Sequence, residues 1–231
     1  SRGLGDVYKR QVHSGCHCPQ VDWFGRRHCG DTWGVEKTVA MRTPQYIVET
    51  LPEQVKNDFL YWTEYMENNL VFHLPDSEWH TKGHCERVLL YALLIGVQVS
   101  GCGRDELRAL AHASIFHDTC RQDDFLDVEH GARAASYYMK YCEQNKDLVF
   151  LEPAYLIMKY HDRDDKVGME AIGNACPEDK EQAIRLYGIF KDADALDRFR
   201  LGANGLDTRF LRNSEAMLLV DFARDLVRQT V

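Results

Sequence analysis

From residue 52 onward, apolar residues return at steps of three and four. In "PEQVKNDFLYWTEYMENNLVF" the residues Val55, Phe59, Trp62 and Met66 fall on one stripe, and Pro52 suits a first helical turn, so the segment is predicted to be a helix. "HTKGHCERVLLYALLIGVQVSG" repeats the pattern and ends in a glycine-rich break. Further helices are predicted over "RDELRALAHASIFHDT", "VEHGARAASYYMKYCEQN", "EPAYLIMKYH", "EDKEQAIRLYGIFKDADALDRFRL" and "SEAMLLVDFARDLVRQ". Strand-like alternation bounded by turns is nearly absent, which makes the expected fold class all-α. "RQDDFLD" and "HDRDDKVG" read as short acidic loops. With no repeat, low-complexity run or interdomain linker, residues 41–231 are expected to form one helical bundle, long enough for a sizeable core and short for two domains.

The periodicity stops before residue 41. Ser1 to Gln11, "SRGLGDVYKRQ", back-translates with permitted codons into a transposon-end adapter of the kind used to prepare sequencing libraries. It is therefore expected to be a non-native scar from bulk, metagenomic sequence data and is set aside from fold reasoning. Residues 12–40 are rich in Cys, His, Gly and Arg and leave three readings open: an untranslated leader, a disordered leader, or a zinc knuckle from Cys16, Cys18, His28 and Cys29. Cys-x-Cys is not the usual paired spacing and no second pair follows, so the leader readings are preferred. Met41 is then the expected natural start.

Charge narrows the partners. After residue 40 there are 22 basic and 32 acidic side chains, a net charge of about −10. Such a surface argues against a nucleic-acid partner, which would need a basic footprint, but leaves room for a small phosphorylated substrate in a local basic pocket. Cys85, Cys102, Cys120, Cys142 and Cys176 are odd in number and scattered, so they are read as reduced thiols of a cytoplasmic chain. No apolar run approaches a bilayer-crossing length, and no membrane partner is expected.

Seven histidines follow Met41, and their order carries the chemistry. His117 and Asp118 are neighbours near the end of an apolar helix, where both cost burial energy unless something uses them. His80 and His84 are four apart, hence on one helix face, with Arg87 beside them. His130, His161 and Asp194 come from three later segments. Imidazoles and carboxylates from several helices can converge on a divalent ion inside a bundle.

This arrangement resembles the HD-domain superfamily of metal-dependent phosphohydrolases, whose pattern is a histidine, an adjacent His-Asp pair and a later aspartate. "HCERVLLYA" is similar to the first element, "ASIFHDTCR" to the pair and "FKDADALDRFRLG" to the last, over about Ser77 to Gly202. The resemblance implies an HD-type bundle with His84, His117, Asp118 and Asp194 around a first metal. His130 and His161 match the two extra histidines of binuclear members. "DADALD" offers Asp192, Asp194 and Asp197; the family context Ala-Asp-x-Leu selects Asp194, and Lys191, Asp194, Asp197 and Arg198 share a helix face that Asp192 does not. His80 is left between a helix cap, a third-metal contact and a substrate contact. His73 and His112 fit no element and are expected to be structural.

The mechanism implied is hydrolysis of a phosphate ester by a metal-activated water, centred on His117 and Asp118. Arg121 sits where family members often carry a basic residue and would neutralise charge on the phosphoryl oxygens; its alternative is an ion pair with Asp123 or Asp124. Arg87 is expected in an internal salt bridge, whereas Lys191, Arg198 and Arg200 remain open between phosphate contact and solvated helix face. The ligand chemistry suits one or two divalent ions of iron, manganese, cobalt, nickel or zinc without choosing among them. A "GYP" motif of cyclic-dinucleotide phosphodiesterases is absent and "TC" replaces the usual small glycine after the pair. That leaves a stand-alone hydrolase of nucleotides or other small phosphate esters. Diiron oxygenases share the same ligand order and are the rival enzyme class; a metal-binding regulatory module without turnover is the third.

Overall fold

The secondary structure is helical throughout, in a computed structural model that describes residues 41–99 and 101–231. The expectations for residues 1–40 (adapter, leader and zinc knuckle) lie outside the described residues. Among the described residues there is no strand, and the α-helices are α1 (Gln45–Thr50), α2 (Glu53–Asn69), α3 (Lys82–Gly96), α4 (Arg104–Phe116), α5 (His130–Gln144), α6 (Glu152–Tyr160), α7 (Asp165–Ala175), α8 (Lys180–Leu196), α9 (Ser214–Met217) and α10 (Val220–Thr230). Met41–Val231 forms one unit. No described helix is long and apolar enough to cross a membrane.

Helix α3 is the axis of the unit. Its sequence "VLLYALLIG" has no polar face, which marks a helix buried on all sides, and every residue from Gly83 to Gly96 is buried. α2, α4 and α8 pack around it. Leu89, Leu90, Leu93 and Leu94 are fully enclosed, each contributing about 1.5–3 kcal/mol of apolar burial. Glu86 on the same helix is fully buried, and its carboxyl oxygens accept hydrogen bonds from the backbone nitrogens of Arg42 (3.1 Å) and Thr43 (2.7 Å) and from Thr43 Oγ1 (2.6 Å). This ties the start of the described chain to the core.

The structure departs from the periodicity in three places. "HDRDDKVG" is not simply a loop: the Asp164 side chain accepts from Lys166 N and starts α7. Gly168 then passes so close to Tyr187 that a Cβ there would overlap the phenol, an approach that no local pattern announces. The last predicted helix is two, α9 and α10, separated at Leu218 and Leu219. Finally, the helix through "DADALD" ends at Leu196 and continues as a 3₁₀ turn over Asp197–Leu201, which changes the faces presented by Asp197 and Arg200.

His112 is structural, as expected. It is packed edge-on to Trp62, and its Nδ1 lies 2.8 Å from the Tyr138 hydroxyl. Burial, assisted by Arg108, pushes its pKa down to about 3. The folded value lies below the unfolded one near 6.5, so its contribution to stability is present above about pH 6.5 and lost as pH falls toward 3. Urea unfolding of the chelator-treated protein should therefore show a pH slope, between pH 6 and 4, steeper by about 1 kcal/mol per pH unit than that of His112→Gln. Equal slopes would show that His112 is charged in the fold.

Candidate metal centre

The predicted ligands sit at helix ends, where the backbone itself orients them. Thr81 caps α3 by accepting from His84 N, so His84 enters the bundle in the first turn. His117 and His161 are the residues just past α4 and α6, and His130 is the first residue of α5. The last carbonyls of a helix lack intrahelical partners and accept from nearby side chains. His117 Nδ1 lies 2.9 Å from Ser114 O and His161 Nδ1 lies 2.7 Å from Met158 O, each three residues back. His130 Nδ1 makes the same contact with Asp127 O at 2.7 Å, and His84 Nδ1 lies 2.7 Å from Asp197 Oδ2. All four acceptors are oxygens that cannot donate, so in the neutral imidazoles the proton sits on Nδ1 and Nε2 carries the lone pair.

Those lone pairs converge. His84 Nε2 is 3.1 Å from His117 Nε2, and His130 Nε2 is 2.9 Å from His161 Nε2. Two unprotonated nitrogens at that distance repel unless a proton or a metal cation lies between them. Ligands about 2.1 Å from an ion and at right angles to one another are about 3 Å apart, so the spacing suits a shared ion. Asp118 joins the two pairs. Its Oδ2 is 3.5 Å from His84 Nε2 and 3.6 Å from His117 Nε2, while its Oδ1 is 3.3 Å from His130 Nε2 and 3.9 Å from His161 Nε2. Asp194 Oδ1, 3.3 Å from His84 Nε2, completes the first side; its side chain is 31% exposed and forms part of the cleft wall. Three donor groups each fall within 4.8 Å: His80, His84 and Asp118; His84, His117 and Asp194; His117, Asp118 and His161. His130 is outside them and belongs through its contacts with Asp118 and His161.

Electrostatics sort the cluster. Burial opposes ionisation of Asp118, yet His117, His130 and His80 hold its carboxyl well below the usual range. Asp194 is likewise kept low against burial, chiefly by His84. Burial drives the imidazole of His117 down to about 4 and that of His161 well below its ordinary value. At His84 burial and Arg200 work against charge, but Asp194 and Asp197 together lift the pKa; at His130 burial is outweighed by Asp118. Burial thus favours neutral imidazoles at His117 and His161, while the carboxylates favour a positive charge at His84 and His130, which a divalent ion would replace by displacing the proton.

His80 does not cap α3, since Thr81 does; its Nδ1 lies 2.7 Å from Asp118 Oδ2. Arg121 reaches Asp123 through the backbone carbonyl (Nε, 3.2 Å) rather than the carboxylate. It also donates to Phe125 O (2.8 Å), while Nη1 packs 3.2 Å from His130 Nε2 and 3.8 Å from Asp118 Oδ1. Asp124 is engaged by Ser77 Oγ and Glu78 N. Arg87 makes the expected internal pair, with Asp197 at 2.6 Å. The three aspartates of "DADALD" have three different tasks. Asp192 is buried and holds the backbone nitrogens of Arg212 and Asn213; Asp194 faces His84 and the cleft; Asp197 orients His84. The role of Asp197 is invisible locally, because its partners are 110 and 113 residues away. Asp162 was also missed, although the pair "HD" at 161–162 repeats that at 117–118. Its carboxylate is 3.6 Å from His130 Nδ1 and lines the cleft, and its Oδ1 is buried without a hydrogen bond.

Gly131 makes the second half of the cluster possible. A Cβ there would overlap the Met158 carbonyl oxygen and stand 2.9 Å from His161 Nδ1, so only glycine lets α5 meet the end of α6. Gly131→Ala should push His130 away from His161 and lower bound metal by about one ion per chain, with the first site retained. Elemental analysis checks this; unchanged stoichiometry would mean that α5 can shift without cost.

The cleft over the cluster has a volume of about 520 Å³ and opens toward Phe125, Leu126 and Leu201. Comparison of the chain with protein-family models, curated proteins and solved structures found no match, so the reading of this centre rests on its own geometry and on the order of its ligands.

Proposed function

We propose that this chain is an HD-type metal-dependent phosphohydrolase acting on a nucleotide or another small phosphate ester. His84, His117, Asp118 and Asp194 would hold one ion; His130, His161 and the other oxygen of Asp118 would hold a second. The observation that carries this reading is Asp118, whose two oxygens face separate histidine pairs, each presenting its Nε2 atoms to the carboxylate. Divalent ions, when bound there, supply charge that polarises a phosphoryl oxygen and acidifies a water.

The side chains do the rest. The backbone carbonyls behind His117, His130 and His161, and Asp197 behind His84, fix ring orientation before any substrate arrives, so no reorganisation is needed during reaction. Burial lowers the pKa of His80 despite its contact with Asp118. A neutral His80 donates from Nδ1 to Asp118 and leaves Nε2 unprotonated on a side chain that lines the cleft, which suits it to take the proton that the attacking water gives up. Among the nitrogens of Arg121, only Nη1 faces Asp118, so its part in neutralising the phosphoryl group is smaller than a free guanidinium would have.

The test is a screen of nucleotides and small phosphate esters with manganese, cobalt, nickel, zinc and iron, run in air and anaerobically. Metal-dependent phosphate release from at least one ester supports the reading. Oxygen uptake with iron and no phosphate release would replace it with the oxygenase.

A further inference from the structure

Four cationic side chains other than histidine line the metal cleft: Arg121, Lys191, Arg198 and Arg200. Three have their donors engaged or open to water. Lys191 Nζ donates to His161 O (2.8 Å) and Arg163 O (3.1 Å) and forms an ion pair with Asp165 Oδ1 at 3.4 Å. Arg121 uses Nε and Nη2 on loop carbonyls. Arg198 is exposed and donates from Nε to Gly205 O.

Arg200 differs. It is only 8% exposed, its Nε donates to Trp79 O at 3.0 Å, and its Nη1 is buried with no hydrogen-bond acceptor. The nearest carboxylate oxygen, Asp197 Oδ2, is 3.6 Å away. That carboxylate already accepts from Arg87 Nε (2.6 Å), Arg87 Nη2 (3.0 Å) and His84 Nδ1 (2.7 Å), so it forms an ion pair with Arg200 but gives Nη1 no hydrogen bond. A buried cationic donor without an acceptor is costly and calls for a partner. The side chain borders both the metal cleft and a second cavity of about 590 Å³, and His80 borders the same two. It therefore lines the same cleft as Asp118 and Asp194.

We propose that Arg200 is the residue that binds the substrate phosphate beside the metal centre, with its guanidinium completed by phosphoryl oxygens. The inference rests on the phosphohydrolase reading for the identity of the anion. A planar guanidinium pairs with two oxygens of one tetrahedral or planar anion, so a carboxylate would share this chemistry. Arg121, the cation favoured by sequence position, instead holds the 121–129 loop against His130.

The experiment titrates inorganic phosphate, and separately acetate, into the metal-loaded full chain by calorimetry. Arg200→Met should weaken phosphate binding about 10- to 100-fold, with bound metal and unfolding midpoint unchanged and Arg200→Lys intermediate. KM for the best ester should rise by a similar factor, more than kcat falls. If Arg200→Met loses metal or unfolds, Arg200→Lys decides: weaker phosphate binding at full metal content supports the assignment. Equal phosphate affinity in wild type and either folded variant overturns it, as does acetate binding as tightly as phosphate. Ester hydrolysis with Arg200-independent phosphate affinity removes Arg200 alone. Arg200-dependent phosphate binding without hydrolysis of any ester keeps the anion site and removes the hydrolase reading.

Discussion

Asp118→Ala should empty both metal sites at once and lower phosphate-ester hydrolysis by about three orders of magnitude or more. Among the described residues no other carboxylate lies within 4 Å of both histidine pairs, since Oδ2 is shared with His84 and His117 and Oδ1 with His130 and His161. The carboxylate is also the main negative charge on the His130 and His80 side of the cluster. Elemental analysis should fall from near two ions per chain toward zero, while circular dichroism still shows a helical fold. His130→Ala or His161→Ala should remove about one ion only. Full hydrolysis in Asp118→Ala would refute the mechanism; an intact protein that stays at one ion under metal excess would leave a mononuclear centre.

Asp197→Ala should have the largest effect on stability. It strands Arg87 as a buried, unpaired cation, a loss of about 3–5 kcal/mol, and frees the His84 ring, weakening metal binding about 10- to 100-fold. At this size the unfolding midpoint should drop by about 2–4 °C per kcal/mol. The two effects separate in a double variant. Asp197→Leu with Arg87→Met removes both charges and should restore much of the midpoint, but not the metal affinity, because His84 Nδ1 still lacks its acceptor. Asp192→Ala is the contrast: it should loosen the chain at Arg212 and Asn213 while metal content stays unchanged. Midpoint and affinity recovering together in the double variant would show that Asp197 acts on the metal only through stability.

Much of the candidate centre was legible because its donors belong to local signals. His117-Asp118 is a polar pair ending an apolar helix, His80 and His84 share a helix face, and the order of His84, His130, His161 and Asp194 matches the pattern that the chain resembles. The carboxylate that orients His84 and the cation without an acceptor were not legible, since each is defined by partners about 110 or more residues away.

The sequence by itself determined the all-helical class, because the 3.6-residue period of its apolar positions is a property of each segment alone. It also determined the order of the metal-ligand candidates and the helix ends on which they lie. Only the tertiary structure decided that α7 forms where "HDRDDKVG" reads as loop, that the C-terminal helix divides, that Asp192, Asp194 and Asp197 take separate tasks, and that Arg200 rather than Arg121 is left short of acceptors. Local periodicity reports which face of a helix is apolar. Which charge meets which, and which donor is left without an acceptor, depends on how the helices pack, and a buried polar atom acquires its cost or its function only there.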